Sequence, residues 1–194
     1  MVRNFEDRPV PDDVVERLLA NALRGPSAGF SQGFELLALN GPEQTGRYWE
    51  VSLPPAEREG FAWPGLLRAP LLIVPFAHPD TYLDRYAEPD KGGTDRSLRS
   101  GHGGRDPARW PVPYWHVDAA FATMLVLLSA VDTGLGALFF GVFRPEAVRA
   151  AFGVPDEYLP VGAIALGYPA PDRPSASLRR GHRPPDEVVH RGRW

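Results

Sequence analysis

The sequence predicts one globular domain that mixes helices with short core strands, and three observations carry that expectation. The chain has 194 residues, is 43% hydrophobic and carries a formal net charge of -3, which is enough apolar material for one sizeable core. Residues 116–143 read HVDAAFATMLVLLSAVDTGLGALFFGVF, and between 119 and 131 only Thr123 and Ser129 are polar. A helix apolar on every side is expected to be buried all round. The run stops short of the roughly 18 residues that indicate a membrane span and is bounded by Asp118 and Asp132, so a membrane segment is not expected. Third, the apolar segments 34–39, 71–77, 137–140 and 161–167 are bounded by glycine, proline and polar residues, the pattern of core strands.

The chain is expected to open with a rigid entry, Arg8-Pro9-Val10-Pro11. A helix then follows, with Asp12 and Asp13 in its first turn and Val14, Val15, Leu18, Leu19, Ala22 and Leu23 at helical spacing. Gly25-Pro26 stops it, and the small residues of Pro26-Ser27-Ala28-Gly29-Phe30-Ser31-Gln32-Gly33 let backbone approach a ligand. Residues 43–52 read as a helix. In the strand at 71–77, Pro75 places one end at an edge or a bulge. Residues 78–113, a long polar excursion with Gly92-Gly93 and Gly103-Gly104, are of the length that forms a lid or a disordered insert. Asp118 is expected to cap the central helix, and Gly134 and Gly136 to end it. Pro145 opens a short helix that closes at Gly153. The tail has five prolines and too little apolar content for its own core, yet ends in Val188, Val189 and Trp194. Such an arm, 169–194, is expected to wrap a second subunit of a homodimer.

Composition excludes much. Without cysteine there is no disulfide framework, thiolate metal site or cysteine nucleophile. Lys91 is the only lysine and acids balance the arginines, so nucleic acid is not an expected partner. The five histidines, at 78, 102, 116, 182 and 190, lack metal spacing, and no Gly-x-Ser-x-Gly elbow or phosphate loop appears. The N-terminus has no apolar signal segment, which points to the cytoplasm.

Several short motifs follow one another along the chain: Arg3-Asn4-Phe5 with Pro9-Val10-Pro11, the run from Pro26 to Gln32, Asp118 before the long helix with Gly134-Leu135-Gly136, then Phe140-Gly141-Val142-Phe143-Arg144-Pro145-Glu146, and the ending Arg183-Pro184-Pro185-Asp186-Glu187-Val188-Val189-His190. In this order they resemble the flavin-dependent nitroreductase family. The resemblance covers nearly all the chain except about 40–113. It implies an α+β sandwich around a mainly antiparallel sheet, flanked by helices, in one domain spanning 1–194 and intertwined as a homodimer. Two FMN sites would lie at the subunit interface, with hydride passing from NADH or NADPH through the flavin to a small planar acceptor such as a nitroaromatic, a quinone or another flavin.

By the same resemblance, Arg3 and Arg183 take phosphate positions, Ser27, Gly29 and Gln32 lie in the flavin-contacting loop, and the main chain of Phe140, Gly141 and Val142 faces flavin N5. No side chain is catalytic in its own right, because the chemistry belongs to the cofactor, and no metal is implied. The family's Arg-Arg-Ser cluster before Arg3 is missing, and Trp63-Pro64-Gly65 stands where a polar pair is usual. Arg179 or Arg180 from the arm is a candidate for the lost charge, and Arg68 for the ring edge. Tyr114 and Trp115 are candidate substrate contacts, since aromatics select planar molecules. A deazaflavin in place of FMN, or a protein that sequesters flavin without turnover, are the alternatives.

Overall fold

Two acids in a first turn and apolar residues at helical spacing produce α1 (Asp12–Ala22), which starts directly after Pro11. Asp12 and Asp13 meet the positive end of the helix dipole, while Val15, Leu18 and Ala22 are buried. The structure, a computed structural model, describes residues 1–91 and 105–194. After α1 come β1 (Phe34–Asn40), α2 (Pro42–Ser52), β2 (Leu71–Ala77), α3 (Pro79–Ala87), α4 (Tyr114–Asp132), β3 (Gly136–Phe140), α5 (Pro145–Phe152), β4 (Leu159–Pro160), β5 (Ala163–Gly167) and the short α6 (Pro185–Val188).

The five strands form one sheet in the order β1-β2-β5-β3, antiparallel throughout, with β4 also paired to β2. Every residue of β2 is buried, because both faces of the sheet are covered and side chains alternate between them. On one face Leu71, Ile73, Ala77, Ile164 and Leu166 pack with α1 and α4. On the other, Leu72, Val74, Phe76, Ala163 and Ala165 pack with Tyr48 and Trp49 of α2, Val148 of α5 and Phe5. The expected strand 161–167 begins two residues late. Pro75 explains the break: it has no N–H, and its C=O accepts from Val161 N–H at 2.9 Å, so the side of β2 that pairs with β5 up to Ile73 resumes with β4 only at Phe76. Pro75 therefore marks an irregularity inside the sheet and not an edge.

The central helix departs from expectation twice. It starts at Tyr114, so Asp118 lies inside it as a buried carboxylate and caps nothing. It is also buried on one stripe only, through Trp115, Asp118, Ala119, Ala122, Thr123, Val126 and Ala130. The opposite stripe is open: Phe121 is 45% exposed, Met124 51%, Leu128 59% and Val131 70%. Its 19 residues are apolar and long enough to cross a bilayer, but α4 packs on α1 and on the sheet as part of this domain. Gly134 ends the helix with φ +76° while Leu135 N–H reaches back to Ala130 C=O at 2.8 Å, a left-handed C-terminal cap.

The excursion at 78–113 opens with the packed helix α3, in which Tyr82 and Leu83 are buried; residues 92–104, with both glycine pairs, lie outside the described residues. The arm begins as a rung beside the N-terminus, with Glu6 N–H on Tyr168 C=O at 2.9 Å and Ala170 N–H on Asn4 C=O at 3.0 Å. Beyond residue 175 its side chains are exposed, Trp194 fully.

Candidate functional site

The small-residue run after α1 folds into a tight loop in which Gly29, Phe30 and Gln32 have φ of +62°, +55° and +56°. Left-handed backbone at a non-glycine residue costs of order 1–3 kcal/mol and persists only where surroundings enforce it. Here they do. Gln32 N–H donates to Ser27 Oγ at 2.7 Å, Ser31 Oγ donates to Ala28 C=O at 2.7 Å, and Arg85 Nε donates to Gly29 C=O at 3.0 Å. Asp118 Oδ2 accepts both Ala28 N–H and the Tyr82 hydroxyl, each at 2.8 Å. Burial, and then the neighbouring Asp118 carboxylate, push the Tyr82 phenol well above its ordinary range, so it stays protonated and donates. Three elements, the loop, α3 and α4, thus meet at one buried carboxylate.

Gly33 closes the loop under the Tyr82 ring, where an added Cβ would run into Tyr82 and Thr81. Gly33→Ala is expected to cost about 1–3 kcal/mol through overpacking, read as a lower midpoint in urea unfolding.

Around the loop stands an aromatic wall. Tyr86 and Trp110 have ring centroids 4.8 Å apart, Trp110 and Trp115 5.7 Å, and Tyr82 and Trp115 6.3 Å. Trp115 is buried in this wall as a packing residue, whereas Tyr114 is half-buried. His116, at the start of α4, is held below its ordinary pKa by burial.

The remaining candidate residues lie elsewhere. Phe140 stacks on Trp49 at 5.7 Å with 11° between planes. A Cβ at Gly141 would meet nothing within 4 Å among the described residues, so packing there does not require the glycine. Arg3 donates its N–H to Asp172 Oδ2 at 2.8 Å and holds its guanidinium 4.8 Å from the Trp63 ring centroid. It borders a cleft of about 600 Å³ together with Asn4, Trp63, Arg68 and Arg173. Neither Arg180 nor Arg183 lines that cleft; Arg180 is exposed and Arg183 pairs with Glu187 in its own arm.

The candidates therefore fall into two groups. The loop at 27–32, through Ala28, and Tyr114 pack with the α1–α4 core, whereas Phe140 and Val142 pack with the core on the opposite face of the sheet. Asp118 as the anchor of the loop, Asn4, and Arg173 were not foreseen. Only Arg173 had a signal, being a further cation just after the last strand.

Solved structures with this architecture span the whole chain. A nitroreductase family protein of Clostridium difficile 630 superposes with a TM-score of 0.68 at 20% identity, covering 100% of this chain and 93% of its own. An FMN-dependent nitroreductase of Clostridium difficile R20291 gives 0.66 at 18%, covering 100% and 94%. The fold is thus that of the nitroreductases. An NADPH-dependent oxidoreductase of Staphylococcus aureus strain USA300 is 27% identical over 198 residues, covering 100% of this chain and 70% of the relative. The nitroreductase family model matches residues 1–168, and the chain belongs to that family of oxidoreductases.

Proposed function

We propose that this chain works as a homodimeric, FMN-dependent NAD(P)H oxidoreductase that reduces a small planar acceptor. One observation carries the reading: the residues that resemble flavin contacts are divided between two faces of the sheet, so that a complete site needs a second copy, and α4 keeps an apolar stripe open for one. That stripe exceeds the scattered exposed apolar residues normal for a monomer. The fit to a flavin is physical. The strained loop at 27–32 offers backbone groups and Gln32, Gly141 leaves room beside its main chain, and Arg3 offers a cation.

With Arg3, the loop at 27–32 and the main chain beside Gly141 to hold it, bound FMN would supply the hydride chemistry between NADH or NADPH and the acceptor. The chain's own part is to hold the ring, exclude water and shape the acceptor's entry, where Tyr114 at the edge of the aromatic wall is placed to stack on a nitroaromatic, a quinone or a second flavin. FMN is preferred to a deazaflavin because a structural neighbour over the whole chain is FMN-dependent.

The test is spectroscopic. Purified protein reconstituted with FMN is expected to show bound-flavin absorbance that NADPH or NADH bleaches anaerobically and that a nitroaromatic or quinone restores. Bound flavin that neither donor bleaches would favour sequestration, and protein that ignores FMN would overturn the proposal. Deleting residues 175–194 is expected to weaken the dimer in size-exclusion chromatography, since Val188 and Val189 are about half exposed and Trp194 fully exposed in one chain; an unchanged dimer would remove the arm's role.

A further inference from the structure

The cleft beside Trp63 gathers more positive charge than the described residues around it neutralise. Its lining includes the guanidinium groups of Arg3, Arg68 and Arg173 and a single carboxylate, that of Asp172. None of the three arginines forms an ion pair among the described residues. Arg68 donates Nε to Phe5 C=O at 3.2 Å and bonds Asn4, Arg173 donates to Ala62 C=O, and both partners are neutral. Asp172 is engaged by the backbone N–H groups of Arg3 and Arg173, each at 2.8 Å. Arg3 and Arg173 each stand 4.8 Å from the Trp63 ring centroid, and stacking on an indole fixes a guanidinium plane without neutralising it. The overall chain is acidic, with a net charge of -3, so this excess is local. Gly65 keeps the floor low, because an added Cβ there would collide with Asn4.

We infer that this cleft binds an oxyanion carried by a planar aromatic ligand, and that Arg173, from the segment after β5, is its third cation. Fixed guanidiniums match such a group, giving paired charge-assisted hydrogen bonds. Phe61 and Trp63 supply flat apolar walls for the ring that carries it. The inference deepens the flavin reading and rests on it for the ligand's identity, but the charge arrangement stands independently. It also assigns the cleft's additional positive charge to Arg173, and not to Arg180 of the arm.

Arg173 is exposed, so its replacement leaves the core intact. The wild type, Arg173→Ala, Arg173→Lys and Arg180→Ala are titrated with FMN, riboflavin and inorganic pyrophosphate, with thermal unfolding alongside. Arg173→Ala is expected to weaken FMN at least tenfold, to flatten the salt dependence of binding and to leave the melting temperature unchanged, with Arg173→Lys recovering most of the affinity. If FMN suffers and riboflavin does not, the oxyanion is the phosphate. If both suffer alike, Arg173 acts on the neutral ring carbonyls that the two flavins share and not on an oxyanion, which overturns the inference. Undiminished binding of all three ligands by Arg173→Ala overturns the inference, as does a larger loss in Arg180→Ala. Should wild-type protein bind neither flavin yet hold pyrophosphate through Arg173, the FMN reading fails while the oxyanion site stands.

Discussion

Leu128→Glu is expected to leave the protein monomeric and unable to retain FMN. Leu128 sits in the middle of the exposed stripe of α4, flanked by Phe121, Met124 and Val131. Burying an apolar side chain of this size contributes roughly 1.5–3 kcal/mol, and a dimer with twofold symmetry loses that contribution from both copies. A buried glutamate without a partner adds a further penalty of several kcal/mol. Because the stripe is solvent-exposed in the single chain, folding of the subunit should be little affected. Light scattering and circular dichroism together check this: a folded monomer without bound flavin is the expected result. A dimer that still takes up FMN would show that α4 is not the interface.

Asp118→Ala is expected to lower stability by about 3 kcal/mol and to weaken FMN binding with it. The carboxylate is buried and accepts two hydrogen bonds, from Ala28 N–H and from the Tyr82 hydroxyl. Each buried donor left unsatisfied costs about 1–3 kcal/mol. The loss propagates to the loop, because Phe30 and Gln32 keep their left-handed backbone only while the loop is pinned. Asp118→Asn retains an acceptor oxygen in the same place and should recover much of both losses. Urea unfolding and flavin titration of the two variants would check it, and an alanine variant within 0.5 kcal/mol of wild type would count against Asp118 as the anchor.

Much of this was legible before the fold was. α1, β1, α2, β2 and α5 fall where hydrophobic period, Pro at a helix start and Gly at a helix end place them, since those signals are local and each is read within one or two turns of chain. The loop at 27–32 was legible as a place of small residues. That Asp118 holds it was not, because the bond joins residues 90 positions apart and no local pattern encodes a partner at that distance. The same applies to Arg173 and Trp63, 110 positions apart in sequence and stacked in the cleft.

By itself the sequence determined which residues are apolar, where α1, β1, α2, β2 and α5 lie, and that no thiolate chemistry is available. Tertiary structure alone decided what covers the apolar residues. An all-apolar helix reads identically whether its own chain surrounds it or leaves half for another molecule, because burial depends on neighbours and periodicity records only composition. That is why α4, expected to be enclosed, has an open stripe, and why the candidate flavin contacts lie on two faces of one sheet.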